Sequence, residues 1–386
     1  MPILYKTRKL SSPTQLILFG NGPDRRAKRH RAITVDKKTR TKIKMSKQPQ
    51  PPKSTGKTPF FKPPWWLRGG HAQTIIGSQW PQRLPKEKAV IRTVDLGDGD
   101  AVAVHDDTPK SWQPAGKVIV MAHGVSDDHR SPFLVRLKTK LYERGVRVFR
   151  WDMRGCGAGK PLARRPYHAG CSGDLAKVVD AVIEWTGGPA SVPPDLSLFG
   201  VSLGGNVLLK YLGEEPNRVP AAVRHAIAVN PPIDLVMGIK AIGTGTSRIY
   251  DRHLTRRLVA RLEEWWQERP DAIRAAEGRR PRSLLEFDNW FTASAVGFRD
   301  ALDYYQKSSA SQFIPAISTP TTIIASRDDP LVPFAMFDDK RVSYPSCVRL
   351  VATDQGGHVG FIGRVDGDPD SRWLDWRVIE MVSPQG

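Results

Sequence analysis

From residue 88 onward the chain switches repeatedly between two kinds of segment, and that alternation leaves few folds open. Short apolar runs of strand length are followed by stretches whose apolar residues recur three and four apart. KAVIRTVDL (88–96) and DAVAVHD (100–106) read as two strands around Gly97-Asp98-Gly99, a hairpin signal. KVIVMAH (117–123) is a buried-type strand, followed by a helix over 132–144 and the strand GVRVFRWD (145–152). A Gly-rich loop, Arg154-Gly155-Cys156-Gly157, leads to an amphipathic helix over 173–186, apolar at Leu175, Val178, Val179, Val182 and Ile183. After a second strand–helix pair, HAIAVNPP (225–232) is a strand stopped by two prolines. TTIIASRDD (321–329) and CVRLVATD (347–354) are further strands, with a last helix near RWLDWRVIEMV. Such alternation predicts an α/β fold: a mostly parallel central sheet with helices on both faces. Functional residues in such sheets gather at the carboxyl ends of the strands. Residues 233–316 break the rhythm. They are helix-rich, hold Trp265, Trp266 and Trp290 with many arginines, and show no convincing strand, so they read as an inserted helical cap.

The strand–helix pair at LSLFGVSLGGNVLLKYL (196–212) has Gly200-Val201-Ser202-Leu203-Gly204 at its corner. A serine hydroxyl is a poor nucleophile at neutral pH and needs a base, itself oriented by an acid. A tight strand-to-helix turn exposes that hydroxyl above the sheet. Flanking glycines let strand and helix approach, and the helix start aims N–H groups at developing negative charge. The five-residue pattern is weak by itself; its position between a strong strand and a strong helix carries the inference.

On a sheet of this kind the partners follow in the order Ser, acid, His. ASRDDPLVP places Asp328 and Asp329 at a strand end, and DQGGHVGF places His358 after the last strand, behind Gly356 and Gly357. His358 is the only histidine after the two acids. Asp329 is preferred as the acid, with Asp328 left to cap or brace the loop. Donors for an oxyanion are expected from the N–H of Leu203 and from that of Val125 in His123-Gly124-Val125. His123 itself reads as a structural loop residue.

The net charge of +20 suggests a polyanion partner until its distribution is examined. Residues 1–58 hold sixteen Lys and Arg against two Asp, a balance of +14, whereas the rest of the chain carries only +6. That basic tail is too poor in apolar residues to offset its ordering entropy and is expected to be disordered. The folded domain is then 59–386, and no nucleic-acid partner is expected. Met45 would open a simpler, still polar leader, which leaves residues 1–44 open as a misassigned start. Leu16-Ile17-Leu18-Phe19 is too short for a secretory signal or a span, and no window elsewhere offers a transmembrane run. A cytoplasmic protein without a transmembrane anchor is expected. Cys156, Cys171 and Cys347 cannot all pair and fit no zinc or redox spacing.

Taken together, these residues resemble the α/β-hydrolase fold and, more narrowly, the YheT/EMB8-like family, which includes the mammalian α/β-hydrolase-domain proteins 1 to 3. The resemblance runs from about 59 to 365. It rests on FKPPWWLRGGHAQTI (60–75), MAHGVSDDHRSPFL (121–134), DMRGCG (152–157), GVSLGGN (200–206), VNPPIDL (229–235), EFDNWFTASAVGFRDALDYYQKSS (286–309), DDPLVP (328–333) and GGHVGF (356–361). It implies Ser202 as nucleophile, Asp329 as acid and His358 as base, acting on short-chain or lipid-like acyl esters without metal or organic cofactor. Val125 departs from the family's usual Leu after His-Gly. The basic tail lies outside the pattern, and the membrane-anchoring segment of the mammalian relatives has no counterpart, so membrane association is not carried over. His71 belongs to the family's N-terminal signature, read as a strap packed on the core. The competing readings are an acyltransferase or peptidase on the same triad, and a basic binding protein with a vestigial hydrolase core.

Overall fold

The structure, a computed structural model, describes residues 60–79, 88–187, 193–276 and 278–383. The basic tail of residues 1–58 lies outside them.

Eight strands form one sheet. They are β1 (Val90–Asp95), β2 (Ala101–Asp107), β3 (Lys117–Ala122), β4 (Arg147–Asp152), β5 (Asp195–Val201), β6 (Val223–Val229), β7 (Thr321–Ser326) and β8 (Val348–Thr353). Their order is β1-β2-β4-β3-β5-β6-β7-β8. β1 and β2 form the antiparallel hairpin at one edge, turning through Gly97 and Gly99, both at positive φ. β2 pairs antiparallel with β4, and every other pairing is parallel. The carboxyl ends of β3 to β8 therefore share one edge of the sheet.

Helices α1 (Gly70–Gln79), α2 (Pro132–Tyr142), α3 (Ser172–Thr186) and α4 (Leu203–Glu214) accompany the first strands. Strand periodicity divides the core between two faces. Val118, Val120 and Ala122 of β3 pack with Val178 and Val182 of α3 and Val207 and Leu208 of α4. Ile119 and Met121 face the other way, against Leu134 and Leu137 of α2 and Trp373 and Val378 of the last helix. α2 stops two residues short of the sequence-based end because the chain turns at Gly145, held at φ +76°.

Between β6 and β7 lie α5 (Leu235–Ile242), α6 (Arg248–Glu268), α7 (Leu284–Phe287), α8 (Ala293–Ala295) and α9 (Ala301–Ser308). A π-helical turn, Asp288–Thr292, joins α7 to α8. No strand occurs among the described residues of 233–316. α10 (Trp373–Val382) closes the chain's described part.

The segment before β1 is bound tightly to the far end of the chain. Phe61 is buried edge-on against Phe361 and Trp373, whose rings stack 5.7 Å apart. Burying such a ring contributes about 1.5–3 kcal/mol. Gln73 is fully buried and donates to the carbonyls of Leu67 and Ile362 while accepting from the Ile362 N–H. This strap lies directly behind the loop that carries His358.

Candidate active site

Ser202 directly follows β5 and precedes the first residue of α4. Its φ and ψ are +53° and −123°, a region L-residues rarely occupy. The glycines around it are required by contact. A Cβ on Gly200 would come 2.4 Å from the Gly204 carbonyl, and one on Gly204 would come 2.5 Å from the His123 carbonyl. The Ser202 N–H donates to the Val229 carbonyl of β6 at 2.8 Å, which fixes the corner to the sheet.

Three side chains, 29 and 127 residues apart along the chain, meet above the sheet edge. Ser202 Oγ lies 2.9 Å from His358 Nε2, and His358 Nδ1 lies 2.8 Å from Asp329 Oδ2. The second carboxylate oxygen, Asp329 Oδ1, accepts the N–H groups of Leu331 (2.8 Å) and Val332 (3.0 Å). With Asp329 accepting from Nδ1–H, Nε2 is left as the acceptor facing the serine hydroxyl. Asp328 does not reach the imidazole. Its Oδ1 accepts the Gly357 N–H at 2.9 Å, so it braces the loop, and burial pushes its carboxyl above the usual range.

The imidazole's loop is clamped from several sides. Buried Asn230 donates through Nδ2 to the carbonyls of Gly357 and His358 and accepts the Ser326 N–H through Oδ1. Ser326 Oγ donates to the Gly357 carbonyl. From the strap, Thr74 Oγ1 accepts the His358 N–H at 2.9 Å. Sequence reasoning singled out neither Asn230 nor Thr74. Asn230 directly follows β6 and sits at positive φ, a conformation that Asn tolerates better than most residues.

Val125 and Leu203 border the same cavity as Ser202 and His358. Leu203 is the first residue of α4, so its N–H lacks an intrahelical acceptor. The loop of Val125 lies close to the serine, since a Cβ on Gly124 would be 3.4 Å from Ser202 Cβ. His123 is buried. Its Nε2 accepts the Met153 N–H, so Nδ1 is the atom that donates to the Gly124 carbonyl. It holds this loop to the end of β4. His71 is exposed and stacks on Tyr250 of α6, with Nδ1 2.9 Å from the phenol oxygen.

The cavity measures about 180 Å³. Most of its wall is apolar and comes from residues 233–316, including Ile239, Leu258, Leu262, Trp265, Phe287 and Phe291. Polar groups also line it. Tyr305 donates to Asp288 at 2.6 Å, and burial pushes the Asp288 carboxyl up to about 6 despite that bond. Burial, followed by the Arg154 charge, lowers His168 to about 4. Cys156 lines the wall too, and burial holds its thiol well above the ordinary value, which disfavours a thiolate.

Among the described residues one group brings metal-ligating atoms together: His105, His129 and Asp152, all buried. Each imidazole bonds to the same carboxylate, which also accepts the N–H groups of His129 and Ala158. Burial raises the Asp152 carboxyl, but these hydrogen bonds outweigh it and leave the group low. The set thus ties the loops after β3 and β4 together.

Comparison with known proteins bears on this geometry. The pattern of the alpha/beta hydrolase fold matches residues 117–365. YheT of Escherichia coli (strain K12), named as a candidate esterase, is 31% identical over 316 residues, covering 81% of this chain and 90% of its own. Embryogenesis-associated protein EMB8 of Picea glauca is 26% identical, over 81% of this chain and 69% of its own. A monoacylglycerol lipase of Saccharomyces cerevisiae is 28% identical, over 66% of this chain and 57% of its own. Among the described residues, no helix is long and apolar enough to cross a membrane. With a matching eight-stranded sheet and these relatives, the chain belongs to the alpha/beta hydrolase family, among the proteins similar to YheT and EMB8.

Proposed function

We propose that this protein is a serine hydrolase of carboxylic esters, working through Ser202, His358 and Asp329. The observation that carries the reading is the continuous hydrogen-bonded line from Ser202 Oγ through both nitrogens of His358 to Asp329. Ser202 attacks the ester carbonyl while His358 Nε2 takes its proton. The N–H groups of Leu203 and Val125 stabilise the oxyanion. His358 then protonates the leaving alcohol, and water activated by the same imidazole cleaves the acyl-enzyme. Asp329 holds the tautomer and stabilises the imidazolium.

Residues 233–316 act in this reading as the cap that forms the acyl pocket. The apolar wall they supply supports a short-chain or lipid-like acyl group, and the monoacylglycerol lipase among the relatives is consistent with that class. The test is labelling with a tagged fluorophosphonate followed by peptide mapping. The label should fall on Ser202, and Ser202→Ala should abolish both labelling and p-nitrophenyl acetate turnover. Turnover that survives Ser202→Ala would rule the mechanism out.

A further inference from the structure

The strap and the start of α6 together expose apolar side chains and cations. The strap exposes large apolar side chains: Trp65 is 80% exposed, Phe60 72% and Ile75 47%. Where the strap meets α6 through the His71–Tyr250 stack, Ile249 is 70% exposed. Ile249, Arg252, His253 and Arg256 are spaced three and four apart and share one exposed face of α6. Neither Arg252 nor Arg256 forms an ion pair among the described residues, and Asp251, the one acid in these turns, is buried. Lys62 and Arg68 are exposed beside the aromatics of the strap. The strap also contacts the catalytic loop, through Thr74 and the His358 N–H.

We infer that this surface docks on a bilayer bearing anionic headgroups. Aromatic side chains with an apolar body and a polar edge settle at the headgroup level, and aliphatic side chains beside them enter the acyl boundary. Arginines beside them are drawn to negative lipid charge. The sign is complementary on balance: the patch carries Lys62, Arg68, Arg252 and Arg256 against Asp354, which shares the hollow of Phe60, Lys62 and Arg68, and residues 1–58 add a sequence balance of +14. A single exposed Trp would need no explanation, whereas apolar groups interleaved with unpaired cations do. Docking in this way presents to the lipid the strap that holds the His358 loop through Thr74. That consequence rests on the proposed esterase site; the docking itself does not.

The test uses the full chain carrying Ser202→Ala, co-sedimented with vesicles of phosphatidylcholine alone or mixed with phosphatidylglycerol. The mixed vesicles should retain it and the neutral ones should not. Arg252→Gln with Arg256→Gln should weaken retention about thirtyfold, since each cation near such a surface is worth about 1 kcal/mol. Trp65→Ser with Ile249→Ser should weaken it about tenfold or more. In the Ser202 background, neither pair should change turnover of soluble p-nitrophenyl acetate, which separates failure of the surface from failure of the active site. The inference is overturned if no vesicle retains the chain or if retention survives both pairs. It is equally overturned if duplex DNA displaces the chain from vesicles equally with and without Trp65 and Ile249, which would assign the charge to nucleic acid.

Discussion

Replacing Asp329 by Asn tests the proton relay because the surroundings dictate how the new amide must lie. Asp329 Oδ1 accepts two backbone N–H groups, from Leu331 and Val332, while Oδ2 faces His358 Nδ1. An Asn at 329 keeps its oxygen on the two N–H donors, because turning the amide over would set NH₂ against both of them. Each donor left unpaired costs about 1–3 kcal/mol, so the flipped form is disfavoured by several kcal/mol. The amide nitrogen therefore points at Nδ1, which must become an acceptor. The imidazole proton moves to Nε2 and faces Ser202 Oγ, where it blocks proton abstraction. A wrong tautomer of this kind costs about 10⁴ in kcat, or about 5 kcal/mol of barrier. Asp328→Asn is the control: Asp328 braces the Gly357 N–H, and the Asn oxygen still accepts that bond, so the loss should stay under about tenfold. The assay is kcat and KM on p-nitrophenyl acetate, with thermal unfolding to show both variants folded. If Asp329→Asn keeps a tenth of the wild-type kcat, or if Asp328→Asn loses more than Asp329→Asn, the assignment of the acid fails.

Three further outcomes follow from particular contacts. Gly70→Ala would set a Cβ 1.6 Å from the Asp328 carbonyl, so the strap should lift from the loop of His358. Lower thermal stability and at least a tenfold fall in kcat are expected, and an unchanged kcat would mean that the strap does not position the base. Gly357→Ala combines φ +59° with a Cβ 2.5 Å from the Gly70 carbonyl; the positive φ alone should cost about 1–2 kcal/mol in chemical unfolding. Asp288, raised to about 6, binds more protons folded than unfolded between pH 4 and 6, so its contribution to stability falls as pH rises through that window. His168 and His225, both lowered to about 4, bind fewer protons folded than unfolded, and their contribution rises from pH 4 to 6.5. The two trends offset one another. Asp288→Asn should remove the first and leave a steeper loss of unfolding temperature on acidification, with stability at pH 7 higher by roughly 1–3 kcal/mol. An unchanged acid slope would show that Asp288 does not titrate there.

The strands and most helix positions were legible because period 2 and period 3.6 are local properties. The same holds for the corner at Ser202, where residue type and neighbours in sequence carry the signal. Asp329 over Asp328 was a narrower choice, since both sit at the end of β7 and only the direction of each side chain separates them. What stayed hidden depends on contacts between distant segments. Nothing near Asn230 announces that its amide closes the loop of His358, 128 residues away. Thr74 reaches the same loop across 284 residues, through a strap whose periodicity is too short to be read. Asp288 and His168 are unremarkable in sequence and become significant only because the 233–316 helices bring them to one cavity.

Ser202 occupies a conformation that a side chain beyond hydrogen finds costly, by about 1–3 kcal/mol. Glycine at that position would relieve the backbone and leave a more robust fold. A chain that had stopped needing the hydroxyl would gain resilience by discarding it, so the cost of keeping serine there weighs against a relic and in favour of a working enzyme.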